Sequence, residues 1–395
     1  MRVLIDRLND TGEGIGKINN EIVFVEKTVP GDVVEVENII KHKNYLEASP
    51  AKIIKNSSKR IPAPCPYYEK CGGCQIMNLN YPEQLAYKKE KVINIFKKYG
   101  DITVDPNIVF DKEWHYRNKI TLQAENNKIG LFKSKSNEIV EIDECLLISN
   151  SMNELIKFIK ENIKLAGINQ IMLREANNQH MVVFKGNIDN TEALKLKNKV
   201  DSIYINNNHI YGTKEITTTL EKYTFKISKD SFFQVNHNQT IKLYNKVKEY
   251  LNKKKKILDL YCGTGSIGIY VSDNCQSILG IEINKQAIKD ANINKKINNI
   301  ENISFKCGDV ANIITSKDKY DTIIVDPPRS GLSKKTRKIL LEISPNYIIY
   351  VSCNPITLVR DIKELSSKYE LKDITLFDLF PNTYHVESVS LLIHK

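Results

Sequence analysis

The sequence predicts an α/β fold: a mostly parallel sheet over residues 229–395, preceded by a small β-barrel (1–60) and an α+β domain (61–228). Three observations lead there. From about residue 229, strand-like and helix-like runs alternate: ILDLY, TGSIGIYVS, SILGIEI, NKQAIKDANINKKI, NISFKCG, YDTIIVDPP, SKKTRKILLEI, YIIYVSCNP and ITLVRDIKELSSK. Alternation at this spacing marks βαβ units and a parallel sheet. Residues 1–60 instead break into short β-rich runs separated by Gly, Asn and Pro. Finally, 395 residues are enough for two or three domains, each burying its own core.

Taken in order, RVLIDRL, the turn GEGIGKINN, EIVFVEK, PGDVVEVENII and YLEASPAKII read as strands of the barrel. The glycine-rich turn at Thr11–Lys17 ends in a basic residue, which suits either a phosphate contact or a plain hairpin. Residues 61–80, IPAPCPYYEKCGGCQIMNLN, are broken by proline and glycine and show no period. A helix is expected over about Tyr81–Lys98, with several lysines on one side. Between 114 and 227, WHYRNKITLQAE, NELIKFIKENIK, INQIMLREA and HMVVFKGN alternate as in an α+β domain. The tail, LKDITLFDLFP and HVESVSLLIHK, supplies two strands with no helix between them, hence an antiparallel hairpin closing one side of the sheet.

The formal charge is +11, from 58 basic and 47 acidic residues. An anionic partner, nucleic acid above all, suits such a surplus. The surplus is local: residues 1–40 carry four Lys/Arg against eight Asp/Glu, residues 41–60 six against one (Glu47), and Lys253–Lys256 form a second basic spot. No run of about 18 apolar residues is present, so no membrane span is expected. MRVLIDRLND has no apolar h-region and carries Asp6 and Asp10, unlike a secretory signal. A cytoplasmic protein is the expectation, and there eight cysteines argue against a disulfide framework. Cys65, Cys71 and Cys74 form C-x5-C-x2-C, with Cys145 as a fourth. Four thiolates hold either zinc or a [4Fe–4S] cluster. Cys262, Cys275 and Cys307 read as packing thiols.

LDLYCGTGSIG puts Gly263, Gly265 and Gly268 directly after a strand and at a helix start, with Glu282 ending the next strand. Glycines let a ligand approach the backbone, and the acid accepts hydrogen bonds from ribose hydroxyls. NAD and S-adenosylmethionine (AdoMet) share that adenosine, so the spacing alone does not separate them. Asp259 on the preceding strand is typical of AdoMet enzymes. VDPPRSG then sets Asp326 at a strand end, with two prolines stiffening the loop that carries Arg329. YVSCNP ends the fifth strand with Cys353 at the same rim. If the acceptor is uracil, its poorly nucleophilic C5 requires a thiolate at C6 and a base for the C5 proton. Glu387 of HVESV, flanked by apolar residues, is the candidate base.

With these motifs in view, the chain resembles the RNA uracil-5 methyltransferases along essentially its whole length. The resemblance rests on SFFQVN (231–236), LDLYCGTGSIG (258–268), GIEIN (280–284), DPPRSG (326–331), YVSCNP (350–355) and FPNTYHVESV (380–389). It implies a Rossmann-like AdoMet methyltransferase domain that makes 5-methyluridine in RNA, with Cys353 as nucleophile and Glu387 as base. It assigns AdoMet contacts to Gln234, Tyr261, Glu282 and Asp326. Residues 1–60 resemble a TRAM domain, an OB-like RNA-holding barrel, whose basic stretch 41–60 would meet phosphates. Cys65, Cys71, Cys74 and Cys145 resemble the family's iron–sulfur site, which shifts the choice to [4Fe–4S]. The expected partner is RNA, specifically 23S ribosomal RNA, methylated by a monomer. Transfer RNA is the alternative substrate, followed by another nucleobase carbon. A nicotinamide oxidoreductase would leave DPPR, SCNP and HVES without a task.

Overall fold

A closed barrel occupies the N-terminus of the computed structural model, which describes residues 1–251, 255–315 and 319–395. Its strands are β1 (Arg2–Leu4), β2 (Arg7–Leu8), β3 (Gly14–Ile18), β4 (Glu21–Val25), β5 (Val33–Lys41) and β6 (Leu46–Lys55), in the order β1-β5-β6-β4-β3-β2. Only Ile5 and Asp6 separate β1 from β2, so one bent strand pairs with β5 at one end and β3 at the other. That bend closes the sheet on itself around Val3, Val23, Val25 and Val34. The glycines of GEGIGK serve this closure. A Cβ on Gly16 would lie 2.3 Å from Val3 Cγ1, and one on Gly14 would lie 2.1 Å from Thr28 Oγ1. Three of the six basic residues in 41–60 are held in ion pairs: Lys41 with Glu21, Lys59 with Glu83 and Arg60 with Asp32. Arg60 thus acts inside the fold, its guanidinium set against a fully buried carboxylate.

The irregular 61–80 segment leads into α1 (Tyr81–Ile95). Asn80 caps it by accepting from Glu83 N, and Pro82 sits in its first turn. The helix stops short of Lys98: a wider turn takes over at Phe96–Gly100, and Asp101 turns left-handed. Next comes β7 (Asn107–Val109), then β8 (Lys119–Glu125), β9 (Lys128–Phe132), β10 (Ile139–Glu141), α2 (Asn150–Asn162), β11 (Ile168–Ala176), β12 (Gln179–Gly186), α3 (Asn190–Ala193), β13 (Ser202–Ile205) and β14 (Asn208–Gly212). These strands, β7 excepted, form a sheet ordered β10-β9-β8-β11-β12-β13-β14. Helix α2 buries Met152, Leu155, Ile156 and Ile159 in the core of that sheet, the spacing of one helical face. A separate hairpin, β15 (Ile216–Leu220) with β16 (Tyr223–Ile227), follows.

The C-terminal elements are α4 (His237–Tyr250), β17 (Lys255–Leu260), α5 (Ser266–Tyr270), β18 (Cys275–Glu282), α6 (Lys285–Ile297), β19 (Ile303–Cys307), α7 (Val310–Ile313), β20 (Thr322–Val325), α8 (Lys334–Ile343), β21 (Tyr347–Ser352), α9 (Pro355–Leu365), β22 (Tyr369–Phe377) and β23 (Glu387–His394). They build the expected sheet, β19-β18-β17-β20-β21-β23-β22-β7. The first five strands are parallel, and β23 runs antiparallel between β21 and β22. The hairpin does not form the edge: β7, from far upstream, pairs parallel with β22. Ile257, Leu258, Ile323, Ile324, Ile348 and Ile349 are fully buried, as in a sheet covered on both faces. Of the basic spot Lys253–Lys256, Lys253 and Lys254 lie outside the described residues. Among the described residues no helix is long and apolar enough to cross a membrane.

Candidate active site

Parallel strands end together, so residues just past their carboxyl ends share one rim. Tyr261 follows β17, Glu282 ends β18, Asp326 follows β20 and Cys353 follows β21. Glu387 reaches the same rim from the opposite direction, as the first residue of antiparallel β23. The β21–β23 register pairs Ser352 with Ser388, and one further step sets Cys353 against Glu387. Gln234 is on no strand end and lies in the segment before α4. That segment is held by Asn118, whose N donates to Val235 O and whose Nδ2 donates to Gln234 O, and by Asn236, whose Nδ2 donates to Leu379 O.

The glycine loop is open on its ligand side. Gly263 has a φ of +52°, its N donates to Glu282 Oε2 at 3.2 Å, and an added Cβ would meet nothing within 4 Å. Gly265 is different: a Cβ there would lie 2.5 Å from Phe305, so it permits packing of the loop on the sheet. Tyr261 takes a left-handed φ of 63°, and its hydroxyl lies 3.3 Å from Thr336 Oγ1. Asp259, fully buried beneath the loop, has no side-chain partner for either carboxylate oxygen among the described residues, and only the Gly268 amide stands against it. Burial pushes its pKa up to about 8, with the Asp326 and Glu282 charges adding to the effect. Burial likewise raises Asp326 to about 7. A buried acid, a second acid and an open glycine turn suit a cationic nucleoside such as AdoMet, whose ammonium and sulfonium would favour the ionised forms of these acids.

Cys353 opens into a cavity of about 190 Å³ lined by Arg329, Asn354, Tyr384, His385 and, from the barrel, Asp10 and Thr11. The residues after the thiol explain the strand's abrupt stop. Asn354 Oδ1 caps α9 by accepting from Ile356 N, and Pro355 is the first helical residue. The same side chain donates from Nδ2 to Arg329 O, and Thr357 Oγ1 donates there too. Asn354 therefore locks the SCNP loop to the DPPR loop. Buried Asp361 supports the latter further, accepting from Leu332 N, Tyr350 Oη and Arg337 Nη1.

The electrostatics separate the two candidate catalytic groups. Burial raises Glu387 to about 8; nearby Asp326 adds to that rise and Arg329 opposes it. Burial raises the Cys353 thiol to about 11, and the Glu387 charge is the next cause. Burial and then the Arg329 cation depress His385 to about 4. His385 packs against Tyr384 and lies 3.5 Å from Arg329, so it is a neutral wall residue and not a surface histidine. Of the remaining thiols, Cys262 and Cys275 are buried as expected, but Cys307 is exposed at the end of β19.

Cys65, Cys71, Cys74 and Cys145 line one cavity of about 400 Å³ together with Arg117 and Tyr68. Burial is the first cause raising each of the four thiols. Among the described residues no group of three His, Cys, Asp or Glu side chains could hold a metal ion as it stands.

Reading the sequence missed the lysines of α1. Their crowding on one side assigns them no role, yet Lys88 is fully buried and Lys91 nearly so. Lys88 Nζ lies 2.5 Å from Asp378 Oδ1 and donates to Phe380 O, in the loop that leads to Glu387. The available signal was the helical spacing of Tyr81, Gln84, Lys88 and Lys91, which alone does not say what covers that face.

Fold and rim together define an α/β methyltransferase, and the comparisons narrow the class. The tRNA (uracil-5-)-methyltransferase family matches residues 80–395, and the TRAM domain matches residues 1–51. An uncharacterized RNA methyltransferase of Clostridium acetobutylicum is 37% identical, covering 99% of this chain and 96% of its own. One of Aquifex aeolicus is 34% identical, covering 99% and 98%. The crystal structure of Pyrococcus abyssi tRNA (uracil-54, C5)-methyltransferase in complex with S-adenosyl-L-homocysteine superposes with a TM-score of 0.85 at 31% identity, covering all of both chains. The chain belongs to the AdoMet-dependent RNA uracil-5 methyltransferases.

Proposed function

We propose that this enzyme methylates uracil C5 in 23S ribosomal RNA, using Cys353 as nucleophile and Glu387 as base. The observation that carries the reading is the register that sets a half-buried thiol against a buried carboxylate of raised pKa, with the thiol opening into a cavity of about 190 Å³. Gln234, Tyr261, Glu282 and Asp326 would hold AdoMet, with Glu282 at the ribose hydroxyls. When bound, AdoMet supplies the electrophilic methyl group that uracil C5 takes up. The Cys353 thiolate adds to C6, and the ring's π electrons pass to an enolate that makes C5 nucleophilic. After methyl transfer Glu387 takes the C5 proton, the C5–C6 double bond re-forms and the thiolate leaves. All these groups belong to one chain, so a monomer suffices.

The pairing of a TRAM barrel with a four-cysteine site supports the ribosomal reading. Transfer RNA is the second reading, favoured by the likeness to the Pyrococcus tRNA enzyme. Both RNAs, transcribed unmodified and incubated with AdoMet, separate the readings by where 5-methyluridine is found. No methylation of either would defeat both.

We further propose that Cys65, Cys71, Cys74 and Cys145 hold a [4Fe–4S] cluster as a cross-link between the 65–74 loop and residue 145. The support for this reading is that all four cysteines line one cavity of about 400 Å³. Anoxically purified protein without iron and without charge-transfer absorption would sink this assignment.

A further inference from the structure

The pocket above Cys353 is composite. Asp10 and Thr11, from the turn between β2 and β3 of the barrel, line it with residues of the C-terminal sheet more than 300 positions away. The turn is preorganised: Asn9 Oδ1 accepts from both Thr11 N and Glu13 N. It is also seated closely, since a Cβ on Gly12 would lie 3.0 Å from Ile76 and 3.6 Å from Tyr384 Cβ.

What seats it is α1. Tyr87 Oη donates to Asn9 O at 2.8 Å. Lys91 Nζ donates to Asp10 O at 2.7 Å and to Tyr384 O at 2.9 Å, so one ammonium ties the barrel turn to the loop before Glu387. The same helix face anchors that loop at three earlier positions. Tyr81 Oη and Lys88 Nζ reach Asp378, and Gln84 Oε1 accepts from Asn382 N at 2.9 Å. Lys91 itself has no carboxylate partner among the described residues and is nearly buried, and burial drops its pKa to about 8. A buried cation held by two carbonyls and the face of the Tyr384 ring, 5.0 Å away, is a poor source of stability. Its geometry instead joins two walls of one cavity.

We propose that the Asp10–Gly12 turn is a wall of the pocket that receives the target nucleotide, and that Lys91 is the positioning residue that holds it there. The inference rests on the uracil-5 methylation above. It gives the barrel a task at the reacting nucleotide in addition to holding RNA elsewhere. The nucleotide enters between the Cys353 loop and the barrel turn, with Thr11 and the turn's peptide groups facing its sugar–phosphate.

The test uses the full-length enzyme and substrate RNA with 4-thiouridine beside the target uridine. Irradiation of the wild type should cross-link RNA to the peptide spanning residues 8–17. Lys91→Met should lose this cross-link and raise KM for RNA roughly tenfold to a hundredfold, with AdoMet affinity unchanged, and Lys91→Arg should restore part of both. A wild-type enzyme that methylates but cross-links only through C-terminal residues would overturn the inference, as would Lys91→Met kinetics equal to wild type. A wild type that makes no 5-methyluridine would instead overturn the underlying reaction. Should Lys91→Met fail to fold, the wild-type cross-link alone decides.

Discussion

Replacing Glu387 with glutamine should separate the two halves of the reaction. The base step loses its proton acceptor, and losing a positioned general base costs roughly 10²–10⁴ in rate, or about 3–5 kcal/mol of activation barrier. The nucleophile gains, because the Glu387 charge is the largest cause after burial of the raised Cys353 pKa. Its removal lowers that pKa and leaves more thiolate from about pH 8 upward, where Glu387 would be ionised. Two assays read these opposite effects. Release of tritium from C5-labelled uridine in RNA follows the base step. Denaturant-stable adducts with 5-fluorouridine RNA, which has no C5 proton to remove, follow thiolate addition. Tritium release should collapse in Glu387→Gln while adducts form at least as fast as in wild type. The wild type carries its own signature. Glu387 has a pKa of about 8 and works only when ionised. About a tenth of it is ionised at pH 7 and about half at pH 8, so the base step should rise roughly fivefold across that unit. Tritium release by Glu387→Gln within a few-fold of wild type, or no adduct from it, would refute the assignment.

Three further outcomes follow from the packing. Lys88→Met strands the fully buried Asp378 and should lower unfolding free energy by about 3–5 kcal/mol in urea melts. Adding Asp378→Leu should recover much of that loss. Asn354→Ala removes both the α9 cap and the tie to Arg329 O; stability should fall by only about 1 kcal/mol, while turnover falls further because the loops beside Cys353 separate. Asp259 keeps its proton to about pH 8 in the fold but ionises near pH 4 when unfolded. Its contribution to stability is therefore complete below about pH 4 and is lost as pH rises to 8. Melts of Asp259→Asn without AdoMet should show a flatter fall between pH 5 and 8 than wild type, and parallel curves would count against the buried, protonated acid.

Much of this protein is legible locally. Strand–helix alternation, the glycine loop, DPPR and SCNP all depend on neighbours a few residues apart, and each was placed on the correct element. So was the short-strand pattern of the barrel, where Gly14 and Gly16 of GEGIGK give room for close strand packing. The same local reading went astray where a partner lies far along the chain. The lysines on one side of α1 have no readable role until the 378–384 loop covers Lys88 and Lys91. The C-terminal hairpin looks like a sheet edge until β7 pairs beyond it. Arg60 reads as an RNA contact until Asp32 is found against it.

Residue type and short spacing determine which groups can do chemistry here, because a thiol before Asn-Pro or a carboxylate at a strand end is specified by its own few residues. Which groups face one another is a matter of register and packing. Cys353 meets Glu387 because β23 runs back antiparallel beside β21. Asp10 and Thr11 meet Cys353 because one buried ammonium on α1 bonds carbonyls that stand more than 370 residues apart in the chain. Such contacts arise from long-range burial of polar groups that need partners, and no local pattern records them.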